Sequence, residues 1–240
     1  MMAEAHEADD EIFVYTGGDQ VVPDDVVRVR IDKSVTIIPA NAFFRRRHLI
    51  YVEFHDGIER IEKDAFNCCY SLCGPIRLLG VKIIGNGAFY NCVDLEDIEF
   101  GDMLETLGSF AFHNCRSLRS LTMPSVRSID RGAFIDCLQL TDLELPEGLE
   151  TIGIRAFSYC QRLGRIAFPL NCMIWGDNIF TLCPKLTKVS LVGGIHNTTA
   201  SLHLESWRNE MKDEINRINQ VLPSMERAKT AAVQQWIRSV

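Results

Sequence analysis

The sequence predicts an α/β solenoid, a right-handed superhelix in which about seven coils of the chain stack on one another. The main observation is a fixed period, because a phenylalanine recurs at intervals of 23, 23, 23, 22, 23 and 23 residues. These phenylalanines are Phe43, Phe66, Phe89, Phe112, Phe134, Phe157 and Phe180. A constant period in the twenties indicates repeated units whose apolar faces are buried only by stacking.

Apolar residues at constant offsets from the phenylalanine predict the path of each coil. In the third coil, Val81 and Ile84 open the unit. A turn follows at Gly85, where glycine relieves a tight backbone, and a strand with alternate residues pointing inward begins at Leu95. The leucines at this last position are Leu49, Leu72, Leu95, Leu118, Leu140, Leu163 and Leu186. This arrangement is typical of a leucine-rich repeat.

Two departures from the period fall where a solenoid tolerates them. One residue is missing near Pro124-Ser125, in the turn after a strand. In the second coil the inward-facing pair is displaced by one residue, to Ile76 and Leu78, and follows Gly74-Pro75. Because a simple slip of one residue would turn the apolar set outward, this displacement predicts a local bulge.

The solenoid, assigned to residues 11–198, is predicted to begin with a cap. Residues 1–10 are acidic and small, which indicates a disordered tail. Two apolar segments, 12–15 and 21–22, flank a glycine-containing turn and predict a β-hairpin. Residues 26–31 then match half of a repeat. A hairpin followed by a half repeat suits the end of a stack, where the first coil has no neighbour.

The C-terminal segment, residues 199–240, predicts a hairpin of two helices. Apolar residues recur there at steps of three and four, which defines one face of an amphipathic helix. They are Leu204, Trp207, Met211, Ile215, Ile218 and Leu222. Pro223 ends this helix and Ser224 caps a second one. The interpretation is a cap over the last coil, and the alternative is a seam for self-association.

Charge and composition restrict the partners and the compartment. The formal charge of -7 and the pI of about 5.4 argue against nucleic acid or a membrane surface as partner, because both are held mainly by Lys and Arg. The acidic N-terminus has no apolar signal segment, and no apolar stretch of the sequence is long enough to span a membrane. Nine cysteines without an export signal predict reduced thiols in the cytoplasm or nucleus.

The cysteines and histidines predict no catalytic, cofactor or metal site. Six cysteines occupy one column of the repeat, namely Cys69, Cys92, Cys115, Cys137, Cys160 and Cys183. Their regularity favours small buried side chains over a cluster of ligands. Cys68, Cys73 and Cys172 lie off the column and lack the paired spacing of zinc ligands. The six histidines stand in no nucleophile or acid/base motif.

The outward-facing residues of the strands are the candidate partner-binding surface. If Ile98 points inward, its neighbours Asp97 and Glu99 point outward, on the face with which solenoids usually bind. The candidate residues are Tyr51, Glu53, Asp97, Glu99, Ser120, Thr122, Asp142, Glu144, Arg165 and Lys188. The outward position beside Arg165 holds Ala167. Acidic side chains dominate the first five coils and basic ones the last two, which suits a protein partner with a basic patch; the alternative is a merely soluble face.

The repeat unit is clearest at 156–169, AFSYCQRLGRIAFP, and resembles the BspA-type leucine-rich repeat. Seven copies, between about Val26 and Val192, carry the resemblance. It implies a solenoid used for protein binding, in some bacterial members for adhesion, and it offers no catalytic residues. We therefore predict a non-enzymatic scaffold for protein interaction. The alternatives are a structural or adhesive surface protein and an unrecognised enzyme or small-ligand binder.

Overall fold

The computed structural model of the protein describes residues 12–169, 173–174, 178–192, 204–222 and 229–239. Some of the sequence-based predictions lie outside these residues. They are the disordered tail at 1–10, the off-column Cys172 and the helix boundary at Pro223 and Ser224.

The described residues form sixteen strands, and all their pairings are parallel. One side of the stack carries strands of three or four residues: β1 Phe13–Tyr15, β2 Arg28–Ile31, β4 Tyr51–Glu53, β6 Pro75–Leu78, β8 Asp97–Phe100, β10 Ser120–Thr122, β12 Asp142–Glu144, β14 Arg165–Phe168 and β16 Lys188–Leu191. A second sheet has two-residue strands: β3 Ile37–Ile38, β5 Arg60–Ile61, β7 Ile83–Ile84, β9 Thr106–Leu107, β11 Ser128–Ile129, β13 Thr151–Ile152 and β15 Met173–Ile174. Both sets point apolar side chains into one core. The predicted solenoid of about seven coils is confirmed.

The phenylalanine column forms the spine of this core. All seven rings are buried, and neighbouring rings stack nearly parallel. Their centroids are separated by 4.7 Å between Phe43 and Phe66 and by 6.1 Å between Phe157 and Phe180, at the two ends of the column. Each ring therefore has an aromatic contact on one or both sides, supplied by the adjacent coils.

Turns rather than helices connect the two strands of each coil. In every coil the residues two before and two after the phenylalanine have a left-handed backbone. They are Asn41, Arg45, Asp64, Cys68, Gly87, Asn91, Phe110, Asn114, Gly132, Asp136, Arg155, Tyr159, Asn178 and Leu182. Glycine, asparagine and aspartate fill most of these positions because they adopt this conformation at least cost. The helical part of the predicted α/β solenoid is confined, within the described residues, to the C-terminus.

The glycines of the predicted tight turn are required by close approach between coils. A Cβ on Gly85 would lie 2.6 Å from the backbone nitrogen of Lys63, and one on Gly153 would lie 2.5 Å from that of Arg131. Contacts this short do not occur between real atoms without a shift of the backbone. Glycine at this position therefore allows each coil to pack directly against the backbone of the preceding coil.

The displaced inward-facing pair of the second coil is confirmed at Ile76 and Leu78, which are buried. The bulge itself stays a prediction, because β4 and β6 do not pair. Gly74 has a left-handed backbone. The inward-facing pair, Ile76 and Leu78, then regains the register and pairs with Ile98 and Phe100 of β8. The ladder of long strands is interrupted at this point, between β4 and β6.

The predicted N-terminal hairpin is wrong. Strand β1 pairs in parallel with β2, and residues 21 and 22 lie in no strand. The side chain of Gln20 instead covers the outer edge of β1, because its Oε1 accepts from the N–H of Thr16 at 2.7 Å and its Nε2 donates to the carbonyl of Val14 at 3.1 Å. An amide that bonds to both groups imitates a neighbouring strand. This contact protects an edge that is otherwise open to pairing with another chain.

The two predicted helices are α1, Leu204–Val221, and α2, Lys229–Ser239. The side chain of Asn219 makes two hydrogen bonds to the backbone of Val189 in the last long strand, at 2.7 and 3.1 Å. Buried apolar side chains of both helices, including Ile218 and Trp236, join the core of the solenoid. These contacts favour the capping role over a seam for self-association.

Candidate partner-binding surface

The long strands present two columns of side chains to solvent. The parallel register places equivalent residues of adjacent coils side by side. The first column contains Arg28, Tyr51, Pro75, Asp97, Ser120, Asp142, Arg165 and Lys188. The second column contains Arg30, Glu53, Arg77, Glu99, Thr122, Glu144, Ala167 and Ser190. We call this surface the strand face, and all ten residues predicted from the sequence lie on it.

Two of the predicted acidic residues are neutralised by arginines of neighbouring coils. Glu53 is paired with Arg30 at 2.7 Å, and Glu99 is paired with Arg77 at 2.9 Å. Neither arginine is among the predicted residues of the strand face, although its spacing of 22 or 23 residues from the glutamate indicates an equivalent position in the adjacent coil. The N-terminal half of the strand face is therefore not uniformly acidic. Exposed ion pairs of this kind add about 0–1 kcal/mol to stability.

The C-terminal half of the strand face carries charges that are not paired in this way. Asp142 and Glu144 are exposed, and among the described residues neither forms an ion pair. Arg165 is the register partner of Asp142, and Lys188 lies on the next strand. We call these four residues the charged patch. The two carboxylates lie on β12, Arg165 lies on β14 and Lys188 lies on β16. Successive strands of this sheet are about 4.8 Å apart.

Tyr51 and Ala167 are two positions of the strand face that do not present a freely exposed polar side chain. Tyr51 lies beneath the guanidinium group of Arg28, which is 5.4 Å from the ring centroid. Ala167 was predicted to point to solvent but is buried. Its register partners Glu144 and Ser190 flank it on both sides, and a methyl group is too short to reach beyond them.

The cysteine column is structural, as the sequence indicated. All six thiols are buried and free. Each thiol donates to the carbonyl of the phenylalanine in the preceding coil, at 3.0 to 3.4 Å. In the first coil Arg46 takes the place of cysteine, and its Nε donates to the carbonyl of Val22 at 2.9 Å. The column therefore satisfies a buried carbonyl in each coil.

Burial disfavours the thiolate form of five cysteines of this column, from Cys69 to Cys160. It raises the pKa of Cys69 to about 12, and it also raises the pKa of Cys92, Cys115 and Cys137. A protonated thiol donates a hydrogen bond and is a poor nucleophile. Within the described residues no three His, Cys, Asp or Glu side chains are arranged to hold a metal ion.

We expect alkylation to separate two classes of cysteine. In folded protein at pH 8, iodoacetamide is expected to label the partly exposed Cys68 and Cys73 and to leave the buried column unlabelled. The reagent has no access to the column, and burial also raises the pKa of its thiols from Cys69 to Cys160. Peptide mass spectrometry measures this, with guanidinium-unfolded protein as the control in which every thiol reacts. Equal labelling of Cys115 and Cys68 in the folded state would contradict the buried column.

The repeat assignment rests on a comparison with protein families as well as on the geometry. The model of the BspA-type leucine-rich-repeat region matches residues 25–76 and 81–203, in six copies, which is well over half of the 240 residues. The chain belongs to this family. No curated protein is significantly similar to this member of the BspA-type family.

Solved structures show the same fold. A leucine-rich cell surface protein from Faecalibacterium prausnitzii is 21% identical, with a TM-score of 0.50 over 71% of this chain and 61% of its own. The leucine-rich-repeat protein of T. pallidum is 26% identical, with a TM-score of 0.51 over 68% of each chain. One from Bacteroides ovatus is 22% identical, with a TM-score of 0.50 over 70% of this chain and 56% of its own. The BspA-type chain thus spans less than two thirds of the first and third proteins.

Proposed function

We propose that the protein is a non-enzymatic scaffold that binds a protein partner through its strand face. The observation that carries the proposal is the charged patch, in which Asp142 and Glu144 stay exposed and unpaired among the described residues. Elsewhere on the same face, Glu53 and Glu99 are neutralised by arginines, and Asp97 accepts a hydrogen bond from Ser120. Unpaired charges of both signs, held at fixed positions, suit a partner with a complementary pattern.

The solenoid supports this function by rigidity. The charged residues stand on strands whose inward neighbours, such as Leu143 and Ile166, are buried. A surface held in this way requires little ordering when it binds, so less of the interaction energy is lost to conformational entropy. Membership of a repeat family also supports a scaffold. No helix among the described residues combines the length and the apolar composition that crossing a bilayer requires.

The experiment uses the full chain as bait in cell extract. The variant Asp142→Lys/Glu144→Lys reverses the two unpaired carboxylates. The control Asp102→Lys/Glu147→Lys makes the same change of net charge at exposed turn residues that follow the long strands. We expect recovery of the partner by the first variant to fall by about tenfold or more, because like charges now face each other, and recovery by the control to match the unchanged chain.

Quantitative mass spectrometry of the captured proteins measures this recovery. Undiminished capture by the Asp142→Lys/Glu144→Lys variant would exclude the charged patch as the binding surface. Cell fractionation before capture tests the compartment. We place the protein in the cytoplasm or nucleus, which the free thiols of the cysteine column support. Recovery of the chain only from the outer cell surface would favour the adhesive alternative.

A further inference from the structure

A second surface lies on the turns of the first coils, away from the strand face. Arg45 and Arg47 are exposed there, and their guanidinium groups lie over the rings of Phe44 and Tyr70, at 5.2 and 5.8 Å from the centroids. Both cations also act on the Tyr70 hydroxyl, whose pKa is raised mainly by a hydrogen bond with Cys68 and lowered in part by Arg47 and Arg45. The two arginines therefore converge on one tyrosine.

A row of polar side chains continues from this tyrosine along the stack. The Nδ2 of Asn91 donates to the thiol of Cys68 at 3.5 Å, and the Nδ2 of Asn114 donates to the Oδ1 of Asn91 at 2.6 Å. The Nε of Arg116 then donates to the Oδ1 of Asn114 at 2.7 Å. The row crosses the first four coils and has cations at both ends. We call Arg45, Arg47, Cys68, Tyr70, Asn91, Asn114 and Arg116 the turn ladder.

The cations of the turn ladder have no carboxylate partner among the described residues. Arginines elsewhere in the solenoid commonly do, as in the pairs Arg119–Glu96 and Arg127–Glu150. Arg45, Arg47 and Arg116 form none of the ion pairs found in the described part of the chain. Three exposed guanidinium groups thus remain available to an anion, for which their planar donors are suited.

The backbone of the turns fixes the position of the turn ladder in each coil. Arg45 and Cys68 both have a left-handed backbone, with φ of 61° and 63°. The equivalent residue is left-handed in all seven coils, but asparagine, which adopts this conformation at lower cost, is present only in the third and fourth. The left-handed turn is therefore a property of the repeat, and in the first coil this position is occupied by Arg45, one of the cations of the turn ladder.

We propose that the turn ladder binds an extended acidic segment of a partner protein. Carboxylates would pair with Arg45 and Arg47 at one end and with Arg116 at the other, and the amides of Asn91 and Asn114 would meet the backbone between them. Three steps of about 4.8 Å separate the first and fourth coils, or roughly 14 Å, which about five extended residues span. Binding at the turn ladder does not involve the strand face. A negative result at one surface therefore leaves the proposal for the other surface unchanged.

The surroundings favour a peptide over a nucleic acid. The chain has a formal charge of -7, which opposes the long, uniformly charged backbone of a nucleic acid more than a short acidic segment. The guanidinium group of Arg47 lies over one face of the Tyr70 ring, which reduces the surface on which a base could stack. A short row of carboxylates needs only the few cations that the turn ladder supplies.

The test uses the full chain and fluorescein-labelled hexaglutamate, with fluorescence polarisation as the readout. We expect the variant Arg45→Gln/Arg47→Gln to bind this peptide at least about tenfold more weakly than the unchanged chain. The matched control is Arg131→Gln/Arg155→Gln, which removes two exposed turn arginines of later coils. Arg131 lies over an aromatic ring and Arg155 has a left-handed backbone, so the control matches the test variant in both respects. We expect it to change affinity by less than about twofold.

A further variant tests the amide row. Asn114→Asp keeps the shape of the side chain and places a carboxylate in the turn ladder, so it is expected to weaken hexaglutamate binding severalfold. Unchanged affinity in this variant would overturn the proposal, as would equal weakening by the two arginine pairs, which would reflect net charge alone. Absence of binding by the unchanged chain would also overturn it. Tighter binding of a single-stranded oligonucleotide than of hexaglutamate would overturn the assignment to a peptide.

Discussion

Replacing Phe112 by alanine is expected to lower the free energy of unfolding by about 3–5 kcal/mol. The ring is fully buried near the middle of the stack. It lies between Phe89 and Phe134, with centroids at 5.2 and 5.5 Å, and Phe100 meets its edge at 5.9 Å. The substitution therefore leaves a cavity bordered by three rings, and the coils on both sides lose a contact that no other residue supplies.

Chemical denaturation of the full chain, followed by circular dichroism, measures this loss. Phe110→Ala is a suitable control because Phe110 lies in the same coil but is only partly buried. Its ring contacts His113 and Arg131 at the surface of the turns. We expect the control to cost clearly less than Phe112→Ala. If both variants unfolded at the same denaturant concentration, the phenylalanine spine would not be the main source of stability.

Replacing Lys229 by methionine is expected to lower the free energy of unfolding by about 3 kcal/mol. The ammonium group is buried at the start of α2, and it donates to the carbonyls of Cys183, Pro184 and Leu186 at 3.0, 3.2 and 2.7 Å. Methionine fills a similar volume but donates no hydrogen bond. Buried carbonyls at the end of the last coil would then lose a partner, and the helical cap would lose its attachment.

The matched control for this prediction is Lys185→Met, which removes the same charge from an exposed position on the last coil. We expect it to change stability by less than about 0.5 kcal/mol. Thermal unfolding of both variants, with limited proteolysis of the helices, measures the difference. Equal melting temperatures and equal proteolysis for the two variants would show that Lys229 does not hold the cap in place.

Much of the fold was predictable because its signal is repeated. A single apolar residue says little about structure, but a phenylalanine at seven positions with one period leaves few alternatives to stacked coils. The same register predicted that Asp97 and Glu99 point outward, because side chains alternate along a strand. It also identified the cysteine column as buried, since its members share one environment.

The prediction of an N-terminal hairpin failed where the repeat is absent. Two apolar segments around Gly17 and Gly18 resemble a hairpin locally. In the structure the first segment gains more by adding a parallel strand to β2, where Tyr15 is buried beside Phe43. The expected solvent exposure of Ala167 is wrong for a different reason. The exposure of a side chain depends on the length of its neighbours as well as on the direction in which it points.

The sequence by itself determined the stack, its register and the residues of its core, because these follow from a local pattern that each coil repeats. Only the tertiary structure decided which charges remain free. Arg30 neutralises Glu53 while Asp142 has no such partner among the described residues, and Lys229 crosses from a helix to three carbonyls of the last coil. Such contacts join side chains of different coils or elements, so they depend on rotamers and on the spacing between coils, which no single repeat encodes.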